Sequence, residues 1–280
     1  MKHSKLCVFL AVAVIVLSAC TAYADGVKLG MLMPAKFAAG INESTLDVSD
    51  IVVWELNTPA HNEGITPKFY SNFASMIMAL NAGEIDEFAV SQPVGEYITA
   101  VNPDFAVVCA NRIIGVDFVF GFLAKNGGAI RDKFNSALAG MRQDGTLDAL
   151  RLKYCGRPGH SKMDSVKIEN FPDAETVRVA VTGDVPPLDF VAADGEAAGF
   201  NTAILAEIGK RLKINIKLLH VETAARTTAL TSGRADCVFW YQLYRDSKNQ
   251  PDAPEGVIFS DPYYDFNITL HIGSRQPEKH

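Results

Sequence analysis

Thr182-Gly183-Asp184 puts a hydroxyl, a flexible stretch of backbone N–H and a carboxylate at the end of a β-branched run, Val177-Val179-Val181. Those groups suit two uses equally: contacts to a small polar molecule, with Asp184 able to accept from an amine, or a Pro-containing turn that Asp184 only caps. Trp240-Tyr241 closes a second apolar run and can cover an apolar or cationic face. Arg226 follows Thr223 in the first turn of a short helical stretch, where a cation opposes the helix dipole. Its fork of donors therefore points to another use, and a bidentate grip on a carboxylate is one.

Catalytic patterns are missing. No HExxH, GxSxG or GxxxxGK stretch occurs, and the six histidines are scattered, three of them (His3, His271, His280) in or near the ends. No cofactor, metal or catalytic residue is expected, and the candidates above describe binding.

The elements that must position these residues read as follows. Residues 177–219 run strand, turn, helix, strand: Ile204, Leu205, Ile208 and Leu212 recur at helical spacing, Asn201 is placed to cap, and 214–219 alternates apolar with polar. The unit is βαβ, with the TGDVPP loop at a strand's carboxyl end, where open α/β sheets bind ligands. Phe73, Met76, Ile77 and Leu80 predict a helix capped by Asn72 and stopped at Gly83. Val27–Leu32 reads as a strand, and 51–56 is a segment of uncertain type. The frames ALNAGEIDEFAV (79–90) and ALTSGRADCVFW (229–240) share Ala-Leu, a Gly and an Asp before an apolar strand, which suggests two α/β lobes of similar build. Val116–Leu123 is an apolar run of strand length. Ile130, Phe134, Leu138 and Met141 then mark a helix, Asp144-Gly145 ends it, and Thr146 opens a shorter one.

With 280 residues, 48% hydrophobic and 21% charged, the chain can bury a sizeable core. Its net charge is −6, or −8 once Lys2 and Lys5 leave with a leader, which argues against nucleic acid as a partner. Residues 1–24 read as an export signal, with basic MKHSK, an apolar stretch from Leu6 to Leu17 and small residues after it. Ala22-Tyr23-Ala24 fits ordinary signal peptidase. Leu17-Ser18-Ala19-Cys20 fits a lipobox, with Cys20 as the lipid anchor, and the strand starting at Val27 tips the balance toward the soluble form. An oxidising compartment allows a Cys109–Cys155 disulfide, and Cys237 has the setting of a small buried thiol.

Taken in order, VAVTGDVPPLDF, DGEAAGFNTAILAEIGKRL, TALTSGRADCVFW and FSDPYY resemble the first lobe of bacterial extracytoplasmic solute-binding proteins of the polar-amino-acid family, over about residues 177–264. The resemblance implies an α/β, two-lobed periplasmic-binding-protein-like fold, each lobe a mixed sheet flanked by helices. It also implies a periplasmic receptor that holds a small polar solute, an amino acid or related carboxylate, between the lobes and delivers it to an ABC permease. FGFLAKNGGAIRDKFNSALAGMRQDGTLDALRLKY is similar to the segment that closes those chains, yet here it precedes the lobe that normally comes first. The order reads as a circular permutation: one lobe at 27–115, a hinge strand at 116–123, the other lobe at 124–263 with a linker at 156–175, and a returning hinge strand at 264–273. Two departures bear on the ligand. The family's Thr-x-x-Arg is replaced by Leu243-Tyr244-Arg245-Asp246, and the acid that takes the ligand's amine falls on Ser91. Ser91, Gln92 and Tyr97 stand as second-lobe contacts beside Thr182, Gly183, Asp184, Arg226, Trp240 and Tyr241. Alternatives are a cleft enzyme similar to the cyclohexadienyl dehydratases and a sensory ligand-binding subunit.

Overall fold

A computed structural model describes residues 26–38, 65–156, 163–245, 247–248 and 250–275. The leader and the 51–56 segment lie outside the described residues. None of the helices described is long and apolar enough to cross a membrane.

The described elements begin with β1 (Val27–Leu32) and a one-turn helix α1 (Ala35–Ala38); from residue 65 on come β2 (Ile65–Tyr70), α2 (Phe73–Asn81), β3 (Glu87–Ser91), α3 (Gln92–Val101) and the long β4 (Phe105–Leu123). Helices α4 (Gly128–Gln143) and α5 (Thr146–Cys155) follow, then β5 (Thr176–Val181) and a small antiparallel sheet of β6 (Asp184–Val185), β7 (Asp189–Val191) and β8 (Ala197–Ala198). The remainder is α6 (Phe200–Leu212), β9 (Asn215–His220), α7 (Arg226–Thr231), β10 (Cys237–Tyr244), β11 (Val257–Phe259) and β12 (Tyr264–Ser274).

One mixed sheet of nine described strands runs β2-β1-β3-β12-β4-β10-β5-β9, with β11 on β4. Its two ends are built alike. On one side β1 pairs in parallel with β2 and β3, and on the other β5 pairs in parallel with β9 and β10. The repeated frame found in the sequence is the joint responsible. Gly83 and Gly233 both take positive φ (+70° and +72°) after α2 and α7, a conformation that glycine adopts without a Cβ clash. Asp86 then accepts from Lys28 N at 2.8 Å and donates its own N–H to Lys28 O, while Asp236 repeats both bonds with Arg178. The carboxylate locks each following strand to the first strand of its half.

β4 and β12 join the halves. Residues 269–273 of β12 pair with β3 and residues 268–274 with the first part of β4, while residues 264–266 of β12 pair with 116–118 of β4, whose residues 116–123 also pair with β10 and β11. A register shift between Phe266 and Ile268 marks the change.

Periodicity located α2 correctly: Asn72 caps it by accepting from Ser75 N at 2.8 Å, and Phe73, Met76 and Leu80 are buried. The βαβ unit is present as β5-α6-β9. Its cap differs from expectation, because Gly199 (φ +104°) is the N-cap and Asn201 lies inside the first turn. A Cβ on Gly199 would sit 2.5 Å from Leu188 O, so glycine is required for that close approach. Gly145, not Thr146, precedes α5, with Asp144 accepting from Thr146 N. Helices α4 and α5 pack on α6, and Arg211 of α6 pairs with Asp144 at 2.7 Å. Cys155 is a free thiol, so a Cys109–Cys155 bridge is not formed. Cys237 is fully buried, which pushes its thiol well above the ordinary range.

Candidate functional site

Between the two halves lies a cavity of about 90 Å³. From the β1 side it is walled by Met31, Leu32 and Met33, and by Ala89, Val90, Ser91 and Val94 where β3 passes into α3. The opposite half supplies Val185, Leu188, Asn201, Arg226, Phe239 and Trp240, and the joining strands contribute Val116, Phe118, Phe266 and Thr269. Three of the polar groups come from the ends of elements: Ser91 from the last residue of β3, Asn201 from the first turn of α6, Arg226 from the start of α7.

Arg226 is 1% exposed and bonded within the protein through all three of its guanidinium nitrogens. Its Nε donates to Thr223 O at 2.9 Å, Nη1 to Trp240 O at 2.6 Å, and Nη2 to Asp252 Oδ1 at 2.9 Å, with a longer Nη1 contact to Asp252 Oδ2 at 3.4 Å. Its guanidinium carbon sits 3.8 Å from the centroid of the Trp240 ring. Asp252, itself buried, also accepts from Ala35 N and Gln242 N, both at 2.8 Å. Burial raises the Asp252 carboxyl above the ordinary carboxylate range, against the pull of Arg226 and those two N–H groups. The fork expected to hold a ligand's carboxylate thus faces a carboxylate of the protein's own.

The TGD loop is also largely engaged within the protein, although Asp184 Oδ1 is buried without a partner. Thr182 N and Oγ1 and Gly183 N all donate to Asp189 Oδ2 at 2.6–3.1 Å. Asp184 points across to the other half, where its Oδ2 accepts from Phe73 N at 2.8 Å and more weakly from Ala74 N at 3.4 Å, so it satisfies the first N–H groups of α2. Burial lifts its carboxyl above the usual range, and the α2 N–H groups act against that. Two further bonds cross between the halves nearby: Ala224 N to Ser71 O at 3.4 Å and Lys36 N to Pro251 O at 3.1 Å.

Of the residues singled out in the sequence, Ser91, Arg226 and Trp240 meet at the cavity. Thr182, Gly183, Asp184, Gln92 and Tyr241 are not among its lining residues. Adjacent strand residues point to opposite faces, so Tyr241 packs behind the sheet in an apolar cluster with Val119, Ala180, Leu230 and Val238, its hydroxyl 3.2 Å from Thr227 Oγ1. Gln92 turns outward and donates to Glu96 at 2.6 Å, while Tyr97 packs beside Phe190.

Asn201 and Thr269 are the site residues that sequence reasoning missed. Both are 2% exposed, both line the cavity, and Asn201 Oδ1 and Thr269 Oγ1 have no hydrogen-bond partner. Nearly all buried polar atoms are paired, so two orphans around one cavity mark it as a place for a further hydrogen-bonding group. Thr269 lies between Ile268 and Leu270 in a strand that carries several other polar residues, and Asn201 was hidden by its resemblance to a cap. Among the described residues no cluster of His, Cys, Asp and Glu could hold a metal ion.

Residues 177–278 match the bacterial extracellular solute-binding proteins, family 3. No curated protein matches the chain. Among solved structures, the ligand-binding component of an ABC-type import system from Staphylococcus aureus, with zinc bound, aligns at 11% identity and a TM-score of 0.44, over 89% of this chain and 66% of that one. A periplasmic binding protein from Brucella ovis with glutathione bound aligns at 12% and 0.43, over 90% and 63%. The methionine-binding protein MetQ aligns at 11% and 0.41, over 89% and 83%. The chain spans about two thirds of the length of the first two.

Proposed function

We propose that this protein is an extracytoplasmic solute receptor that encloses a small molecule between its two halves and delivers it to an ABC importer. The observation that carries the proposal is the cavity walled from both halves, in which Asn201 Oδ1 and Thr269 Oγ1 are buried without partners. The match of residues 177–278 to solute-binding proteins supports it. On this reading residues 27–115 and 124–263 are lobes that rock about strands 116–123 and 264–273, since two joining strands allow bending without unfolding. The bonds from Asp184 to Phe73 N and from Lys36 N to Pro251 O then belong to the closed state. Export to the periplasm accompanies the role.

The lobe order follows from a circular permutation. Leu29 of β1 and Gly273 of β12 flank Glu87 from opposite sides of β3, so a short connection between β12 and β1 would restore the usual order.

A thermal-shift screen of amino acids, small organic acids, amines and neutral amphiphiles tests the function. A ligand at about a hundred times its dissociation constant adds roughly 2.7 kcal/mol of stability. At least one compound should raise the midpoint of the parent and not of an Asn201→Leu/Thr269→Val variant. If every stabilising compound acts equally on both proteins, the cavity is not the binding site.

A further inference from the structure

We infer that the ligand is a small neutral molecule, mostly apolar with a single hydrogen-bonding end, rather than a zwitterion or an organic anion. The inference rests on the receptor reading and concerns what that site accepts. The charged side chains lining the cavity are Arg226 and Asp252, and they neutralise one another at 2.9 Å. Neither is left with an unbalanced charge for a guest. Asp252 already accepts from two guanidinium nitrogens and two backbone N–H groups, and Arg226 makes four contacts within the protein. A ligand carboxylate drawn to Arg226 would bring its charge against Asp252, and an ammonium drawn to Asp252 would meet Arg226. In a buried site either charge lacks a counter-charge of its own, and such burial is strongly unfavourable.

The rest of the lining fits a neutral guest. Met31, Val94, Val116, Phe118, Leu188 and Phe239 present apolar surface, and the buried unpartnered atoms among the lining residues are one amide oxygen and one hydroxyl, those of Asn201 and Thr269, with the Ser91 hydroxyl also on the wall. Asn201 Oδ1 accepts, so a donor at the ligand's polar end would meet it; Thr269 Oγ1 can donate or accept. At about 90 Å³ the space is smaller than the cavity of roughly 150 Å³ known to admit benzene, so the occupant is a molecule of few heavy atoms.

An isosteric series that differs in charge tests this: isobutanol, isobutyrate and isobutylamine, with alanine as the small zwitterion. Each is titrated into full-length protein carrying 13C-methyl methionine. The Met31 and Met33 methyl signals are read, since both residues line the cavity. Isobutanol should shift them and bind at least about tenfold more tightly than any ionic member, a difference of about 1.4 kcal/mol. Asn201→Leu and Thr269→Val should each weaken isobutanol without changing the fold. If isobutyrate, isobutylamine or alanine binds as tightly as isobutanol, the neutral-ligand inference fails while the receptor reading stands. If isobutanol does not move those methyl signals at all, the inference also fails, and the wider thermal-shift screen then decides the receptor reading separately.

Discussion

Replacing Asp252 with alanine removes the counter-charge of an arginine that is 1% exposed. Breaking a buried ion pair from one side costs about 3–5 kcal/mol, because the remaining charge stays out of water. The carboxylate also accepts from Ala35 N and Gln242 N, and a buried N–H left without an acceptor costs roughly a further 1–3 kcal/mol. With partial relaxation of these groups, a loss on the order of 5 kcal/mol is expected, a large share of the roughly 5–15 kcal/mol that holds a domain together. At a slope of about 3 kcal/mol per molar urea, the midpoint of a circular-dichroism unfolding curve should fall by about 2 M. A companion Arg226→Met/Asp252→Leu variant should recover much of that loss, since exchanging a whole buried pair for apolar side chains is often neutral. It should not recover all of it, because the two N–H groups remain unmet. A midpoint shift of the single variant below about 0.3 M, or a double variant as unstable as the single, would refute the claim that Asp252 is there to neutralise Arg226.

Three other outcomes follow from the geometry. Thr269→Val replaces an unpartnered buried hydroxyl with a methyl of the same shape, so in the absence of ligand it should be neutral or stabilising by about 1 kcal/mol, read by the same urea curves; a loss of stability would mean that the hydroxyl is satisfied within the protein. Asp184→Ala removes the acceptor for the first N–H groups of α2 and should cost about 1 kcal/mol, with faster amide exchange confined to Phe73 and Ala74; unchanged exchange there would remove Asp184 as a contact between the halves. A rearranged chain opened between Gly156 and Met163, and closed by a short linker from Ser274 to Val27, should fold with the same circular-dichroism spectrum and ligand response. Flanking one strand, those ends are separated by about 10 Å, and a rearranged chain that fails to fold would count against the permutation.

Local rules carried the sequence reading as far as the elements. Apolar spacing and an Asn cap sufficed for α2, because both act within one turn of helix. The repeated Gly and Asp in 79–90 and 229–240 revealed the two similar halves, because each Asp performs one fixed task, holding the next strand against its neighbour. The site was less legible. Arg226 and Asp184 were read as ligand contacts, but their partners within the protein lie 26 and 111 residues away, and nothing local announces Asp252 or the N-terminus of α2. Tyr241 lies on the sheet face opposite Trp240, and the pair was read together because strand alternation was not applied to it. Asn201 and Thr269 stand out only by lacking partners, a property of the folded molecule that no motif records.

Hydrogen exchange on the full chain, with and without the tightest compound from the thermal-shift screen, tests the central claim most directly. If the solute is enclosed between the halves, protection must increase together at residues 31–36 and Ser91 on one side and at 239–242 on the other. Protection confined to one half, or to the surface cleft beside Arg151 and Tyr264, would contradict the account.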